Sequence, residues 1–146
     1  MSFKIEVISS MTQKPLSEVT IYTGGFFHLP IVTKALDTLF NRTVLHSSYP
    51  GFYLRQRLDS SIKCHSHVVK EIAARLPHWC FNDPAYQLSK IFQQSIKGSL
   101  KNLESDLVVG WAGHSLSIIE ACKEKQIPFS LERGSTHIRW QRERLK

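Results

Sequence analysis

No apolar stretch in this chain approaches the ~18–20 uninterrupted residues that cross a bilayer, so a membrane-spanning helix is not expected. A secretory leader is not expected either, because Met1-Ser2-Phe3-Lys4-Ile5-Glu6 sets a carboxylate where the leader's apolar stretch would run. Cysteine is scarce. Cys64, Cys80 and Cys122 make an odd number without a leader, which argues against a disulfide framework and for reduced thiols. There is no internal repeat and no low-complexity segment. Acid is in short supply: 12 Asp and Glu stand against 19 Lys and Arg, a formal net charge of +7. Such an excess attracts phosphates of any kind, whether nucleotide, nucleic acid or anionic lipid headgroup, and composition does not choose among them. The expectation is a cytoplasmic chain whose basic surface also suits peripheral contact with a membrane.

What is present is enough for one core. A length of 146 residues, 42% of them hydrophobic and 10% aromatic, fits a single domain over 1–146 and is too short for two. The order of elements carries more information. Phe3-Lys4-Ile5-Glu6-Val7 alternates like a half-buried strand. Val19-Thr20-Ile21-Tyr22-Thr23 is a second β-rich run closed by Gly24-Gly25. Beyond Pro30, Ile31, Val32, Ala35, Leu36, Leu39 and Phe40 recur at helical spacing, with the proline suited to the first turn. Thr43-Val44-Leu45-His46-Ser47 reads as the next strand and Tyr49-Pro50-Gly51 as a turn. Ile62-Lys63-Cys64-His65-Ser66 suits a strand, and a helix carrying Val68, Val69, Ile72, Ala73 and Leu76 follows until Pro77.

The clearest helix opens at Asn82-Asp83-Pro84, and Leu88, Ile91, Phe92, Ile96, Leu100 and Leu103 line one face of it. Leu107-Val108-Val109 reads as a strand buried on both faces. It passes through Gly110-Trp111-Ala112-Gly113-His114 into a helix with Ser117 and Glu120 at capping-box spacing and Ile119 and Cys122 toward the core. Phe129-Ser130-Leu131 is the next strand, and Glu132-Arg133-Gly134-Ser135-Thr136 leads into a last helical stretch. Strands alternating with helices predict an α/β fold, a Rossmann-like three-layer sandwich with a mostly parallel sheet. In such sheets, ligands sit at the carboxyl ends of the strands.

Three strand ends therefore attract attention. Gly24 and Gly25 let the backbone approach an anion or a sugar at a helix start, although an ordinary tight turn has the same residues. At the second, Gly113 gives space, Trp111 offers a ring for stacking on a sugar, and His114 titrates near neutrality. The plain alternative is a packing tryptophan beside a solvent-facing histidine. The third gathers Glu132, Arg133, Ser135 and His137. Arg133 has the planar fork that holds phosphate or carboxylate. Glu132 takes a proton from a hydroxyl if burial raises its pKa, and Ser135 or Thr136 caps the following helix. An internal Glu132–Arg133 pair is the alternative. Cys64, His65, His67, His78 and Cys80 match no usual zinc spacing, so neither metal nor cofactor is expected. Arg139, Arg142, Arg144 and Lys146 around Trp140 make a basic stripe without a nucleic-acid motif, so nucleic acid is not an expected partner.

Ser105-Asp106-Leu107-Val108-Val109-Gly110-Trp111-Ala112-Gly113-His114-Ser115-Leu116, together with residues 128–141, resembles the N-terminal domain of family 4 glycosyltransferases. These are GT-B enzymes in which two Rossmann-like domains face each other across a cleft. The resemblance implies an acceptor-side domain for sugar transfer, with a nucleotide sugar as co-substrate and a glycan, lipid or other hydroxyl compound as acceptor. It also implies that the chain stops at Lys146 before the donor-binding half, which would have to act in trans. Glu132 and His137 are then the candidates for deprotonating the acceptor. Where many relatives close the last strand with a histidine, this chain has Glu132-Arg133-Gly134, and His137 lies a turn further on. A non-catalytic module or subunit, or a small nucleotide-binding α/β protein, are the other classes. The face meant for a second domain is expected to expose Trp111 and apolar neighbours, so self-association or poor solubility is expected.

Overall fold

Strands run where β-branched and apolar residues cluster, and the burial of each strand tells its place in the sheet. The computed structural model describes residues 17–26 and 28–132, with the side chain of His78 not described. β1 (Glu18–Thr23), β2 (Arg42–Ser47) and β4 (Leu107–Trp111) are buried along nearly their whole length. Strands with both faces covered need no polar alternation. β3 (Lys63–Ser66) and β5 (Phe129–Glu132) are largely exposed or half-buried, as the edges of the sheet should be. The order is β3-β2-β1-β4-β5, and every pairing is parallel.

Helices cover both faces. α1 (Leu29–Asp37) and α2 (Gly51–Arg55) flank one, where Leu29 and Leu54 pack with Val19, Ile21, Leu45, Val109 and Trp111. α4 (Pro84–Ser95), α5 (Lys97–Lys101) and α6 (Leu116–Lys125) flank the other, where Phe92, Ile96, Leu100, Ile118 and Cys122 meet Tyr22 and Val108. α3 (Val69–Ala73) is five residues long, buries none of its side chains fully and packs beside α4. The expected three-layer, Rossmann-like sandwich is therefore the architecture found, with all five described strands parallel. The expected strand at Phe3–Val7 and the last helical stretch lie outside the described residues.

Four local expectations are corrected. Tyr49-Pro50-Gly51 is more than a turn, because Pro50 at the N-cap position starts α2. The long helix from Pro84 breaks at Ile96 into α4 and α5. There the hydroxyls of Ser95 and Ser99 donate to the carbonyls of Phe92 and Ile96, a back-bonding that bends helices. The capping box at Ser117 and Glu120 does not form, since α6 already starts at Leu116. Instead, the Ser117 N–H donates to Gln93 Oε1 of α4 at 3.0 Å, and Ser115 donates to the Trp111 carbonyl at 2.6 Å. Ile118 rather than Ile119 is fully buried beside Cys122, and Ile119 is half-buried.

Candidate functional site

From β1 the chain proceeds to β2 and β3 on one side; β4 and β5 then fill the other. The strand order therefore reverses between β1 and β4, the place on the carboxyl edge of such a sheet where ligands bind. The loops following these two strands are those of Gly24-Gly25 and Gly113-His114, and they touch. A Cβ on Gly24 would lie 2.8 Å from His114 Cδ2 and 3.0 Å from its Nε2, so only glycine admits the imidazole at this distance. Gly113 has φ +96°, a left-handed conformation that glycine adopts without strain. Its carbonyl accepts a hydrogen bond from Ser89 of α4. The Thr23 hydroxyl donates to the Gly25 carbonyl at 2.6 Å and accepts the Gly25 N–H at 3.1 Å. The Gly25 amide is thus engaged within its own loop.

Polar side chains from two further strand ends close around this contact. The Lys70 ammonium at the start of α3 donates to the Gly24 carbonyl at 2.6 Å and pairs with Glu71 Oε1 at 3.0 Å. Ser48, directly after β2, donates to the same Glu71 oxygen at 2.6 Å and lies 3.2 Å from the Gly24 carbonyl. Burial pulls the His114 pKa down, the Lys70 charge adds to that, and the Glu71 charge opposes it. His114 is therefore neutral at physiological pH. Its Nδ1 is buried without a hydrogen-bond partner. A buried N–H without a partner is rarer and costlier than a bare lone pair, which favours the tautomer with the proton on Nε2.

Behind the crevice, an aromatic row crosses the sheet. Tyr22, His46 and His65 are register partners on β1, β2 and β3, and their rings stack with centroids 4.7 Å apart at each step. His46 Nδ1 and His67 Nε2 share a hydrogen bond of 3.0 Å. Burial, followed by the neighbouring histidines and Lys63, lowers the His46 pKa to about 3. Among the described residues, no group of three potential ligands can hold a metal ion.

The strand-end residues named from sequence have different fates. Gly24, Gly113 and His114 come together, with Gly25 next to them. Trp111 does not present its ring: it is 4% exposed and packs in the core with Val109 and Leu29. Two residues after Val109 on the same strand, it shares that residue's inward face. The expected stacking surface on Trp111 is corrected accordingly. The large apolar side chains that are exposed include Tyr86, Leu116 and Leu131, which border a cleft of about 350 Å³ between α4 and α6. Glu132 is exposed at the tip of β5, opposite Trp111 in register, and its carbonyl accepts the Ala112 N–H at 2.9 Å. Arg133, Ser135 and His137 lie outside the described residues. Ser48, Lys70 and Glu71 were missed, although the strand-end rule marks the residues following β2 and β3 as much as those following β4.

The sheet order and crevice define a doubly wound, Rossmann-like α/β domain, the type of unit from which GT-B enzymes are assembled. Among solved structures, the apo UGT2 of Phytolacca americana superposes with a TM-score of 0.58 at 16% identity, over 82% of this chain and 30% of that one. CalG4, the calicheamicin glycosyltransferase, does so at 0.57 and 10% identity, over 91% of this chain and 36% of that one. The C-terminal domain of the PF1911 hydrogenase from Pyrococcus furiosus matches at 0.54 and 16% identity, over 82% of this chain and 93% of that domain. The chain thus spans about a third of the two glycosyltransferases, and at these identities the likeness is one of fold. No protein family and no curated protein matches the chain by sequence.

Proposed function

We propose that this chain is the acceptor-side domain of a nucleotide-sugar-dependent glycosyltransferase of the family 4 type, with the donor held by a second domain outside these residues. One observation carries the reading: the Gly24 and His114 loops meet at the point where the strand order reverses, with Ser48, Lys70 and Glu71 around them. The fold shared with two glycosyltransferases supports it. In the reaction, the acceptor hydroxyl oxygen forms a bond to the anomeric carbon while that carbon's bond to the nucleotide phosphate breaks. The hydroxyl proton passes to a base. Glu132 at the tip of β5 and His137 beyond it are the candidates, and closure of a second domain would supply the burial that Glu132 lacks. Arg133 and Ser135 are assigned to binding, and the +7 net charge suits acceptors on membranes or polysaccharides.

The test mixes the chain with nucleotide sugars and hydroxyl acceptors, with and without a family 4 donor-side domain. Transfer only in the mixture is expected. Turnover by the chain alone would contradict the need for a second domain, and no transfer in any combination would count against the whole reading. The match over 93% of a hydrogenase's C-terminal domain, a unit of similar size, favours a binding module or subunit as the second reading.

A further inference from the structure

Glu71 stands where the loops following β1, β2 and β4 converge. Ser48 and Lys70 both bind its Oε1, and its charge reaches Tyr49 and His114. All these bonds fall on one oxygen, so Oε2 remains uncommitted among the described residues. The side chain is 26% exposed, enough for that oxygen to meet a ligand. We infer that this crevice binds the uncharged hydroxyls of a sugar, with Glu71 Oε2 as their hydrogen-bond acceptor, and that it rejects phosphate. The inference rests on the reading of this sheet edge as the sugar-acceptor side.

The charge arrangement decides against phosphate. Lys70 is the cation of the cluster, and both its partners, the Gly24 carbonyl and the Glu71 carboxylate, lie within 3.0 Å. Its side chain is only 14% exposed. His114 is neutral, and the Gly25 N–H is occupied by Thr23. A phosphate would therefore face the Glu71 carboxylate with no free cation among the described residues of the cluster to offset the repulsion. A sugar hydroxyl instead donates one hydrogen bond and accepts others. The carboxylate takes the donated proton side, and the His114 Nε2–H next to Gly24 can serve a hydroxyl oxygen. Two bonds on Oε1 hold the carboxylate still, which lowers the entropy lost when Oε2 binds.

The experiment titrates the whole chain with the methyl glycosides of glucose, galactose, mannose and N-acetylglucosamine, and separately with inorganic phosphate, by calorimetry. At least one glycoside should bind in the millimolar range, and phosphate should not. Glu71→Gln should weaken the glycoside by about tenfold, since a charged acceptor is lost, and should admit phosphate because the repelling carboxylate charge is gone and the Lys70 charge is no longer neutralised. Ser48→Ala should weaken glycoside binding by a smaller factor, and it carries the test if Glu71→Gln fails to fold. Phosphate binding as tight as any glycoside, no glycoside binding at all, or an unchanged glycoside constant in a folded Glu71→Gln would overturn the inference. A glycoside bound through Glu71 in a chain that never supports transfer would sink the transferase reading alone. Transfer undiminished by Glu71→Gln would sink only the role of Glu71.

Discussion

Gly24→Ala adds a single methyl group at the junction of the two loops. The new carbon would sit 2.8 Å from His114 Cδ2, 3.0 Å from Nε2 and 3.1 Å from Cγ, so the whole imidazole edge is in its way. His114 cannot simply swing aside, because its other face meets the Phe92 ring edge-on at 5.9 Å and Phe92 is completely buried. Overpacking of this kind costs about 1–3 kcal/mol. For a chain of this size each kcal/mol lowers the melting temperature by about 3 °C, so a fall of about 3–9 °C is expected. Gly98→Ala is the internal control: nothing lies within 4 Å of its added carbon, and it sits in α5. The same chemical change should there stabilise by about 0.5 kcal/mol, because alanine loses less backbone entropy. Thermal melts followed by circular dichroism read both, and the imidazole proton resonances of His114 should move only in Gly24→Ala. Equal melting temperatures with an unmoved His114 signal would mean that the loops do not touch, and the crevice would lose its geometry.

Gly110→Ala should cost more than Gly24→Ala, about 2–3 kcal/mol in urea unfolding, because its added carbon would lie 2.6 Å from the buried Ser115 Oγ and 3.0 Å from Phe129 Cζ. A midpoint within error of the parent would refute the close approach of β4 to α6. Acid should destabilise the chain: the folded His46 pKa is about 3 against an ordinary 6.5, so the unfolded state binds the extra proton as pH falls through 6.5. This contribution is complete above that value and declines toward pH 3, with about 2 kcal/mol gone by pH 5. His65, His67 and His114 are shifted in the same direction. Urea midpoints at pH 7.5, 6 and 5 should therefore fall in order, and His46→Phe should flatten the slope; a slope unchanged by that substitution would remove His46 as its source. Asp83→Ala should cost about 1 kcal/mol by freeing the Tyr86 N–H, now 3.1 Å from the Asp83 carboxylate at the start of α4. Asp83→Ser should recover most of it, and equal losses in the two would argue against capping.

Much of this architecture is legible in the chain itself, for physical reasons that also mark where the reading stops. β1, β2 and β4 announce themselves as runs rich in β-branched and apolar residues, and α4 does so because Asp83 and Pro84 form a local start signal. The break at Ile96 depends on serine hydroxyls turning back onto the helix, and the start of α6 on a glutamine from α4; both are set by partners distant along the chain or around the turn. Trp111 shows the limit most clearly. The strand-end rule marks it as facing a ligand, yet β4 runs one residue past the glycine and the two-residue alternation sends its ring inward. Gly24 and His114 were legible as loop residues 90 positions apart. Their contact was not, because it follows from β1 and β4 being neighbours in the sheet. Ser48, Lys70 and Glu71 have ordinary local sequence and gain meaning only when three loops converge.

The central claim is that a sugar acceptor occupies the carboxyl edge of the sheet between β1 and β4. A nitrogen-resolved proton spectrum of the chain, recorded during titration with the methyl glycosides, addresses it directly. Shifts concentrated at Gly24, Gly25, Ser48, Glu71, Gly113 and His114 are the predicted result. Shifts concentrated instead at the opposite edge, around Glu18, Arg42 and Lys63, would contradict it, as would a spectrum that none of the glycosides changes.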